Sequence, residues 1–400
     1  MVADIRLKKE TQTFEAPKLS LAPAHSTRKS DLRILHIGKY YPPYRGGMES
    51  HLQCLADELN GMLDLKVIVA NSERRTMQAV VDGVNVTRVG KLCDVKAAPV
   101  CPALVRQIRK SQADIIHIHW PNPTAVLAYM ASGHHGRLIF TYHSDVVRQR
   151  MLAIAFTPIL RLALRKAAAI IVSSPNYIES SDILSEFRSK CHVVPFGVSV
   201  DHFEQCDQKR VSRIRERYGP RIVLGVGRMV YYKGFEYLVR AMKSVDGHLI
   251  IIGNGPLREH LEQVAVECNV DDRVAFLTEV DEIRPYYHAA DVFVLSSVMR
   301  SEAFGIVQLE AMACGKPIIN TDLNSGVTFV SPHEVSGLTV PPADAEALAG
   351  AINVLLDRPY YRAQLGTQAK LRVANEFTVE NMVQRTFDLY QQVMLQNGER

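Results

Sequence analysis

Short apolar runs alternate with segments of helical periodicity along most of this chain, and this alternation constrains the fold more than any other feature. The first apolar run is Leu32 to Gly38, and the helical periodicity that follows it starts at Met48. Nearly continuous apolar strands separated by helices are typical of a parallel sheet that helices cover on both faces. The sequence therefore predicts an α/β fold built on parallel sheets.

The alternation occurs twice, once in each half of the chain. In the first half the predicted strands are residues 32–38, 65–70, 84–89, 115–118, 138–142 and 169–173. In the second half they are residues 222–226, 249–252, 274–277, 292–295, 317–320 and 337–340. A chain of 400 residues is also too long for one ordinary hydrophobic core.

These two halves predict two Rossmann-like domains that face each other across a cleft. We expect an N-terminal domain at residues 31–198 and a C-terminal domain at residues 199–376. We predict that the polar segment Asp201 to Tyr218 is the linker between the two domains. Residues 1–30 are polar and lack the apolar region of a signal peptide, so we expect a disordered N-terminal extension.

The composition argues against several classes of protein. The net charge of +5 is small for this length, so nucleic acid is not implied as a partner. The seven cysteines are scattered without a C-x-x-C pair, which favours thiols in a reducing cytoplasm over a disulfide framework or a zinc site. No apolar run reaches the ~18 residues of a membrane-spanning helix. A cytoplasmic protein is therefore expected.

The segment Arg300 to Pro317 places two carboxylates beside the start of a predicted helix. Apolar residues after Gly305 have helical spacing, with Glu302 in the preceding loop and Glu310 within the helix. The N-terminal end of a helix carries free N–H groups and partial positive charge, which suit an anionic ligand. Carboxylates beside such a site are explained if they bind hydroxyls of a ligand whose phosphates bind the backbone. A sugar nucleotide has both parts.

Two cations, Arg228 and Lys233, flank the loop that follows the predicted strand 222–226. This is the carboxyl edge, where open α/β sheets bind ligands. Two cations there can neutralise a diphosphate and stabilise it as a leaving group, whereas solvated surface charge is the alternative. Gly255 lies in a Gly-Asn-Gly-Pro turn after the next strand. Close approach of a ligand and an ordinary turn explain that glycine equally well.

Gly46 and Gly47 lie at a strand–loop–helix junction in the first half, where backbone amides can approach a phosphate because no Cβ intervenes. An ordinary tight turn explains them as well, and the chain lacks the G-x-G-x-x-G fingerprint of a dinucleotide site. His143 directly follows a predicted strand and is placed to contact a substrate, whereas a structural or exposed histidine is the alternative. His117 and His119 project from one strand face, but no Cys or carboxylate stands at ligand spacing, so we expect no metal site.

The segment Val147 to Ala168 mixes basic and apolar residues. A helix of this composition can lie on an anionic membrane surface, and a sheet-covering helix with a charged outer face is the alternative.

The order of these motifs resembles the retaining glycosyltransferases of family 4. The segment S-E-A-F-G-I-V-Q-L-E-A-M-A-C-G-K-P resembles the E-x7-E signature of that family. Further markers look similar in Y-P-P-Y-R-G-G-M-E, G-R-M-V-Y-Y-K-G, V-P-F-G-V and G-L-T-V-P-P. The resemblance extends from about Leu32 to the C-terminus and implies the GT-B fold. In that fold the last helix, within residues 377–400 here, crosses back to the first domain.

The resemblance also implies roles in the C-terminal domain. Glu310 would bind the ribose hydroxyls of the donor, and Glu302 would bind hydroxyls of the transferred sugar. Arg228 and Lys233 would hold the diphosphate. Backbone amides beside the diphosphate would come from the start of the helix, at Phe304, Gly305 and Ile306.

Three further regions receive roles by the same resemblance. Gly46 and Gly47 would close the site from the N-terminal domain, and His143 would lie beside the transferred sugar. Residues 278–281 would lie near the base of the nucleotide.

The resemblance implies transfer of a hexose, with retention, from a nucleotide diphosphosugar. The most similar sub-family is that of bacterial mannosyltransferases of O-antigen or exopolysaccharide assembly. It implies GDP-mannose as the donor and a glycan or lipid-linked glycan as the acceptor, with peripheral contact at the inner membrane. A transferase that uses UDP-glucose or UDP-N-acetylglucosamine is an alternative, as is a glycan phosphorylase on the same fold.

A non-enzymatic sugar-nucleotide-binding protein is a rival hypothesis, whose usual sign is loss of a motif residue. Every motif residue is present in this sequence. The chain contains no D-x-D triplet, so we expect no metal and no cofactor besides the donor substrate. The protein's own cations would then neutralise the diphosphate.

Overall fold

The computed structural model describes residues 30–44, 46–95, 98–145 and 150–396, apart from the side chains of residues 150–153. The predicted N-terminal extension, residues 1–30, lies outside these ranges except for Ser30. Residues 397–400 of the predicted crossing helix also lie outside them.

The N-terminal half of the described chain forms one large sheet and a small hairpin. The strands are β1 Ser30–Ile37, β2 Leu63–Ala70, β3 Met77–Val81, β4 Val84–Val89, β5 Cys93–Val95, β6 Ala98–Val100, β7 Ile115–Trp120, β8 Arg137–Tyr142, β9 Ala169–Val172 and β10 Cys191–Val193. The large sheet has the order β10-β9-β8-β7-β1-β2-β4-β3, and β5 pairs with β6 in the hairpin. Neighbours in the large sheet are parallel, except that β3 runs antiparallel to β4.

The C-terminal half contains a parallel sheet in the described residues. Its strands are β11 Ile222–Val226, β12 His248–Ile252, β13 Val274–Leu277, β14 Val292–Leu295, β15 Ile318–Thr321 and β16 Gly337–Val340. Their order is β13-β12-β11-β14-β15-β16. The strand order reverses between β11 and β14, as it does between β1 and β7 in the first sheet. In open α/β sheets, ligands bind beyond the carboxyl ends of the strands at such a reversal.

Helices connect the strands and cover the sheets. In the N-terminal half they are α1 Gly47–Asn60, α2 Ala103–Lys110, α3 Pro123–Ser132, α4 Arg150–Lys166, α5 Pro175–Ser180 and α6 Asp182–Glu186. In the C-terminal half they are α7 Val200–Glu204, α8 Gln208–Tyr218, α9 Phe235–Ala241, α10 Arg258–Glu267, α11 Arg284–Ala289, α12 Ile306–Ala313, α13 Val327–Val330, α14 Ala345–Asp357, α15 Pro359–Glu376 and α16 Val379–Leu395. Short 3₁₀ turns lie at Arg188–Lys190, Tyr231–Lys233 and Met242–Ser244.

Each large sheet is buried on both faces, which explains its nearly continuous apolar strands. Leu35 and Ile37 of β1 join one buried cluster, and Ile34 joins the cluster on the opposite face. In the second sheet, Leu249 and Ile250 of β12 are divided between two clusters in the same way. The prediction of an α/β fold with two parallel-sheet domains is confirmed. The predicted boundary between residues 198 and 199 falls between β10 and β11 and stays a prediction.

The last helix crosses from the second domain to the first, as predicted. Phe377, just after α15, is buried with residues of the second sheet, whereas Met382 and Tyr390 of α16 are buried with residues of the first. The crossing point is held by a backbone hydrogen bond of 2.9 Å from the N–H of Val198 to the carbonyl of Phe377. The two domains are therefore tied together by α16 as well as by the chain between them.

The prediction of a linker at Asp201 to Tyr218 is wrong, because these residues form most of α7 and all of α8. Val211 and Tyr218 are seven residues apart on one face of α8, and both are buried against the second sheet. The many charges of the segment occupy the outer face. Composition alone therefore does not reveal the buried apolar stripe.

Helix α4 covers one edge of the first sheet and continues through Pro158 without a break. It realises the predicted Val147–Ala168 helix, of which residues 147–149 lie outside the described ranges. Within the described residues, no helix combines the length and the apolar character that crossing a bilayer requires.

Two glycines provide a matched test of the crossing point. A Cβ on Gly197 would lie 2.2 Å from the carbonyl oxygen of Thr378, whereas a Cβ on Gly350 in α14 would meet nothing within 4 Å. We expect Gly197→Ala to lower the free energy of unfolding by about 1–3 kcal/mol, since the backbone must move apart. Gly350→Ala should raise it by about 0.5–1 kcal/mol, since glycine is unfavourable inside a helix. Denaturant unfolding measures both, and equal effects would contradict the close packing at Thr378.

Candidate active site

A buried ion pair joins the two strands at the reversal point of the second sheet. Lys233 lies at the end of the 3₁₀ turn after β11, and Glu302 lies in the loop after β14. Lys233 Nζ is 2.5 Å from Glu302 Oε2, and each residue is 8% exposed. The Ser297 hydroxyl donates a further hydrogen bond of 2.8 Å to the same carboxylate oxygen. The two predicted site residues are thus in direct contact.

The backbone around this pair is held tightly. The Ser296 hydroxyl donates to the carbonyl of Lys233 at 3.0 Å, and the N–H of Val298 donates to the carbonyl of Tyr232 at 2.8 Å. Gly234 has φ of 64°, and a Cβ there would lie 2.1 Å from the carbonyl oxygen of Ser296. Only glycine allows this approach without strain. The loops after β11 and β14 therefore form one rigid unit that fixes the ion pair.

Glu310 lies on α12 and is held from the neighbouring helix α11. The hydroxyl of Tyr287, a fully buried residue, donates a 2.5 Å hydrogen bond to Glu310 Oε2. Loss of water around the carboxylate raises the pKa of Glu310, while the hydrogen bond from Tyr287 and the charge of Lys233 act against that rise. Glu310 is partly exposed as a residue, while its carboxylate lies in a poorly hydrated environment.

The start of α12 is anchored by aromatic packing. Gly305 precedes the helix in a left-handed conformation, with φ of 75°. The buried ring of Phe304 packs at 5.0 Å against Phe196 of the first domain and at 6.1 Å against Phe377. Ile306 begins the first turn, where backbone N–H groups have no partner within the helix. This turn lies beside Glu302 in the chain and can offer its amides to an anion.

Arg228 and Gly255 lie on adjacent loops at the same edge of the sheet. The Arg228 side chain is exposed and makes no ion pair with a described residue. Gly255 has a packing reason, since a Cβ there would lie 2.4 Å from the carbonyl oxygen of Met229. Its N–H donates to the side chain of Asn254 at 2.8 Å. Contact of Gly255 with a ligand stays a prediction.

Gly46 and Gly47 lie at the N-terminus of α1, beyond the carboxyl end of β1. Gly46 is the N-cap residue and has an extended backbone, and Gly47 is exposed with nothing within 4 Å of the place of a Cβ. Packing therefore gives no reason for a glycine at position 47. Closure of the site by these two residues stays a prediction.

The two domains meet near the predicted site. Arg300, two residues before Glu302, forms an ion pair of 2.8 Å with Asp145, two residues after His143. His143 stacks at 5.5 Å on Phe196, and Phe196 in turn packs on Phe304 before α12. His143 is thereby connected to the start of α12 through the rings of Phe196 and Phe304.

A pocket of about 360 Å³ lies beside the loop predicted to be near the nucleotide base. Its walls include Glu279, Val280 and Asp281 of that loop, with Arg210 and Arg213 of α8 opposite them. The loop is thus open on one side, and a role in binding the base stays a prediction.

His143 belongs to a buried cluster of five histidines with His36, His51, His117 and His119. Two sets of three have nitrogens within 4.8 Å of one another, namely His36, His117 and His119, and His51, His119 and His143. Most of these nitrogens are engaged in hydrogen bonds with each other or with hydroxyl groups. A metal ion would have to break those bonds and would bring charge into a dry interior. The arrangement fits a hydrogen-bonded chain better than a metal site.

Sequence reasoning missed several residues that shape this site. Ser297 could have been found from the sequence, because the polar pair Ser296–Ser297 directly follows an apolar strand. The sequence gives no indication of the other three residues, because their contacts join positions far apart in the chain. The separations are 23 for Tyr287, 108 for Phe196 and 354 for Tyr390.

Both halves of the chain match known families of glycosyltransferases. Residues 45–202 match Glycosyltransferase Family 4, and residues 207–372 match Glycosyl transferases group 1. A D-rhamnosyltransferase of Pseudomonas aeruginosa is 31% identical over 353 residues, which are 87% of this chain and 92% of that protein. The O-antigen chain mannosyltransferase C of Escherichia coli is 30% identical over 365 residues, 90% and 98% of the two chains.

A third relative is a GDP-mannose-dependent alpha-(1-6)-phosphatidylinositol monomannoside mannosyltransferase of Mycolicibacterium smegmatis. It is 29% identical over 364 residues, covering 84% of this chain and 92% of its own.

Solved structures share the fold at lower identity. The sucrose-phosphate synthase of Thermosynechococcus elongatus has a TM-score of 0.76 and 23% identity, covering 92% of this chain and 100% of its own. The Anabaena protein HepE in complex with UDP-glucose has a TM-score of 0.73 and 18% identity, with coverage of 90% and 100%. These likenesses confirm the GT-B fold, and the sequence relatives identify the family. The chain is a glycosyltransferase that belongs to family 4.

Proposed function

We propose that the chain transfers a hexose, with retention, from a nucleotide diphosphosugar to a glycan or lipid-linked glycan of a bacterial surface polysaccharide. The observation that carries this proposal is the buried Lys233–Glu302 pair at the reversal point of the second sheet, beside the N-terminus of α12. A cation and a helix N-terminus suit a diphosphate, and a carboxylate beside them suits sugar hydroxyls.

In this proposal, donor binding divides between the phosphate groups and the hydroxyl groups. Arg228, free of described carboxylate partners, and Lys233 bind the diphosphate with the first-turn amides of α12. Glu310, held by Tyr287, accepts hydrogen bonds from the ribose. Glu302 shares Lys233 with the phosphate and accepts a hydrogen bond from the transferred sugar. The loops after β11 and β14 already hold Lys233 and Glu302 in place, so donor binding requires no unfolding of these loops.

The chemical step breaks the bond between the anomeric carbon and the diphosphate oxygen. Negative charge grows on the departing diphosphate, where preorganised cations and amides stabilise it most. The acceptor hydroxyl bonds to the anomeric carbon from the same face and gives its proton to the departing phosphate oxygen. Retention follows from this front-side geometry. The protein cations thus supply the charge neutralisation, and the proposed reaction needs no cofactor.

GDP-mannose is the donor that the relatives favour. One relative acts as an O-antigen chain mannosyltransferase, and another is GDP-mannose-dependent by its name. The similarity to a D-rhamnosyltransferase favours a related hexose as the second candidate. Thermal stabilisation and hydrolysis should be measured with GDP-mannose, UDP-glucose and UDP-N-acetylglucosamine. Response to GDP-mannose alone supports the proposal, whereas response to the UDP sugars alone overturns it. Release of sugar 1-phosphate with inorganic phosphate would indicate a phosphorylase.

The basic residues near the diphosphate give a direct kinetic prediction. Lys233→Ala and Arg228→Ala should each lower kcat by roughly 10²-fold, since each removes a preorganised donor that meets growing negative charge. Arg385→Ala removes an exposed arginine on α16 and is the matched control, with kcat expected to stay near the original value. Steady-state kinetics with a melting curve for each variant separates catalysis from folding. Near-original turnover in both site variants would contradict the role in leaving-group stabilisation.

The Tyr287–Glu310 hydrogen bond gives a prediction on pH. Ribose hydroxyls need the ionised carboxylate as an acceptor, so nucleotide affinity should fall as the pH drops through the raised pKa of Glu310. Tyr287→Phe removes a bond that lowers this pKa and should move the acid limb to higher pH. Glu310→Gln should remove the limb, since the amide does not titrate.

Calorimetric Kd values for GDP across the acid range measure these effects. An acid limb that is the same in all three proteins would show that Glu310 does not bind the ribose.

We also propose that α4 contacts the membrane that carries the acceptor. Its outer face exposes Ile154 by 69% and Leu162 by 45%, with Arg165 and Lys166 exposed at its C-terminal end. Apolar and basic side chains on one helix face are typical of a helix that lies on an anionic bilayer.

The substitution pair Ile154→Asn and Leu162→Asn tests this contact. We expect the unmodified protein to sediment with phosphatidylglycerol vesicles at low salt and to be released as salt screens its charges. The double variant should lose most of this binding, whereas Leu371→Asn, at an exposed leucine on α15, should keep it. Equal vesicle binding by both variants would rule out α4 as the contact.

A further inference from the structure

The buried histidines form a continuous hydrogen-bonded chain that ends at His143, after β8. The Tyr390 hydroxyl on α16 is 3.0 Å from His36 Nε2 of β1. His36 Nδ1 is 3.0 Å from His119 Nε2 of β7, and His119 Nδ1 is 3.1 Å from His143 Nε2. The same Tyr390 hydroxyl is also 2.6 Å from His117 Nδ1. His117 Nε2 is 2.7 Å from the Thr141 hydroxyl.

The fold explains why these groups meet. His36 and His117 are register partners on adjacent strands, at the reversal point of the first sheet. Their side chains point to the face that α1 and α16 cover, where Tyr390 is fully buried. His143 follows β8, the next strand of the sheet.

The protons of the chain are coupled because each ring is neutral. Burial lowers the pKa of all four histidines, and no carboxylate is among the groups that shift them; His51 on α1 also faces His143 and lowers its pKa further. A neutral imidazole has one donor nitrogen and one acceptor nitrogen. If one ring changes its tautomer, its neighbours must change theirs. Two arrangements of the whole chain satisfy every bond between the rings and let the Tyr390 hydroxyl donate. A third, in which both His36 and His117 donate to Tyr390, leaves the buried Tyr390 proton without an acceptor and is costly.

The Thr141 hydroxyl distinguishes the two arrangements. In one, Thr141 donates to His117, and the donors then run through Tyr390, His36 and His119 to His143. In the other, His117 donates to Thr141, whose own proton then has no acceptor among the described residues. An unpaired buried donor is costly, so the first arrangement is favoured. It leaves the proton of His143 on Nδ1, which has no partner among the described residues.

We propose that Tyr390, on the crossing helix, is a positioning residue that fixes His143 in the Nδ1–H tautomer through His36 and His119. His143 then offers a hydrogen-bond donor to a hydroxyl oxygen of the transferred sugar. This inference rests on the proposed function, in which His143 lies beside that sugar. The hydroxyl of Tyr390 lies in the interior of the first domain, so it acts on the donor only through the rings.

Nitrogen-15 NMR of the histidine-labelled full chain, without substrate, tests the relay directly. The His143 signals are assigned by their loss in His143→Gln. We expect the Nδ1–H tautomer of His143 in the unmodified protein and in Thr141→Ser, which keeps the terminal hydroxyl. Tyr390→Phe should restore a large fraction of the Nε2–H tautomer that free imidazole prefers. His143 protonated on Nε2 in the unmodified protein would overturn the proposal, as would an unchanged tautomer in Tyr390→Phe.

Kinetics separates the relay from a merely structural role. Tyr390→Phe should lower kcat by about tenfold with little change in the Kd of the nucleotide, since the loss of one donor to the sugar affects transfer more than nucleotide binding. Tyr361→Phe, at a partly buried tyrosine on α15, is the matched control and should keep both values. Equal kinetics in Tyr390→Phe and Tyr361→Phe would contradict the positioning role. Absence of transfer in the unmodified protein would instead refute the proposed function and leave the NMR result as the test of the relay.

Discussion

The buried ion pair of Lys233 and Glu302 is the interaction on which the candidate site depends. It joins the loops after β11 and β14, where the strand order of the second sheet reverses. Two charges in so dry a place are costly unless they are well paired, and the Ser297 hydroxyl completes the set of hydrogen bonds. A buried pair of this kind is weak evidence for stability. In the proposed function, the bound donor takes up part of the charge on each side.

The first domain is connected to the region of the Lys233–Glu302 pair through packed aromatic rings and through α16. His143 stacks on Phe196, which packs against Phe304 at the start of α12. Tyr390 of α16 reaches His143 through the chain of histidines. The crossing helix is therefore connected to His143 by hydrogen bonds and to the first domain by packing. A reversal of strand order occurs in both sheets, and the loops after β8 and β14 meet at the ion pair of Asp145 and Arg300.

Much of the fold and part of the site were predictable from the sequence, for physical reasons. Strands such as β11 and β14 are buried on both faces, so each appears as an apolar run with clear ends. Lys233 and Glu302 were placed correctly because loops after parallel strands share one edge. The segment at α8 was misread because its buried residues are few among many charges. The partners of Glu310 and His36 could not be predicted, since Tyr287 and Tyr390 depend on how helices pack in three dimensions.

The central claim is that the Lys233–Glu302 pair and the start of α12 form the donor site. A crystal structure of the chain with bound GDP tests it most directly. The account predicts the terminal phosphate within hydrogen-bond distance of Lys233 Nζ and the first-turn amides of α12, with the ribose hydroxyls on Glu310. A diphosphate bound elsewhere, for example only between Arg210 and Arg213 of α8, with the Lys233–Glu302 pair untouched, would contradict it.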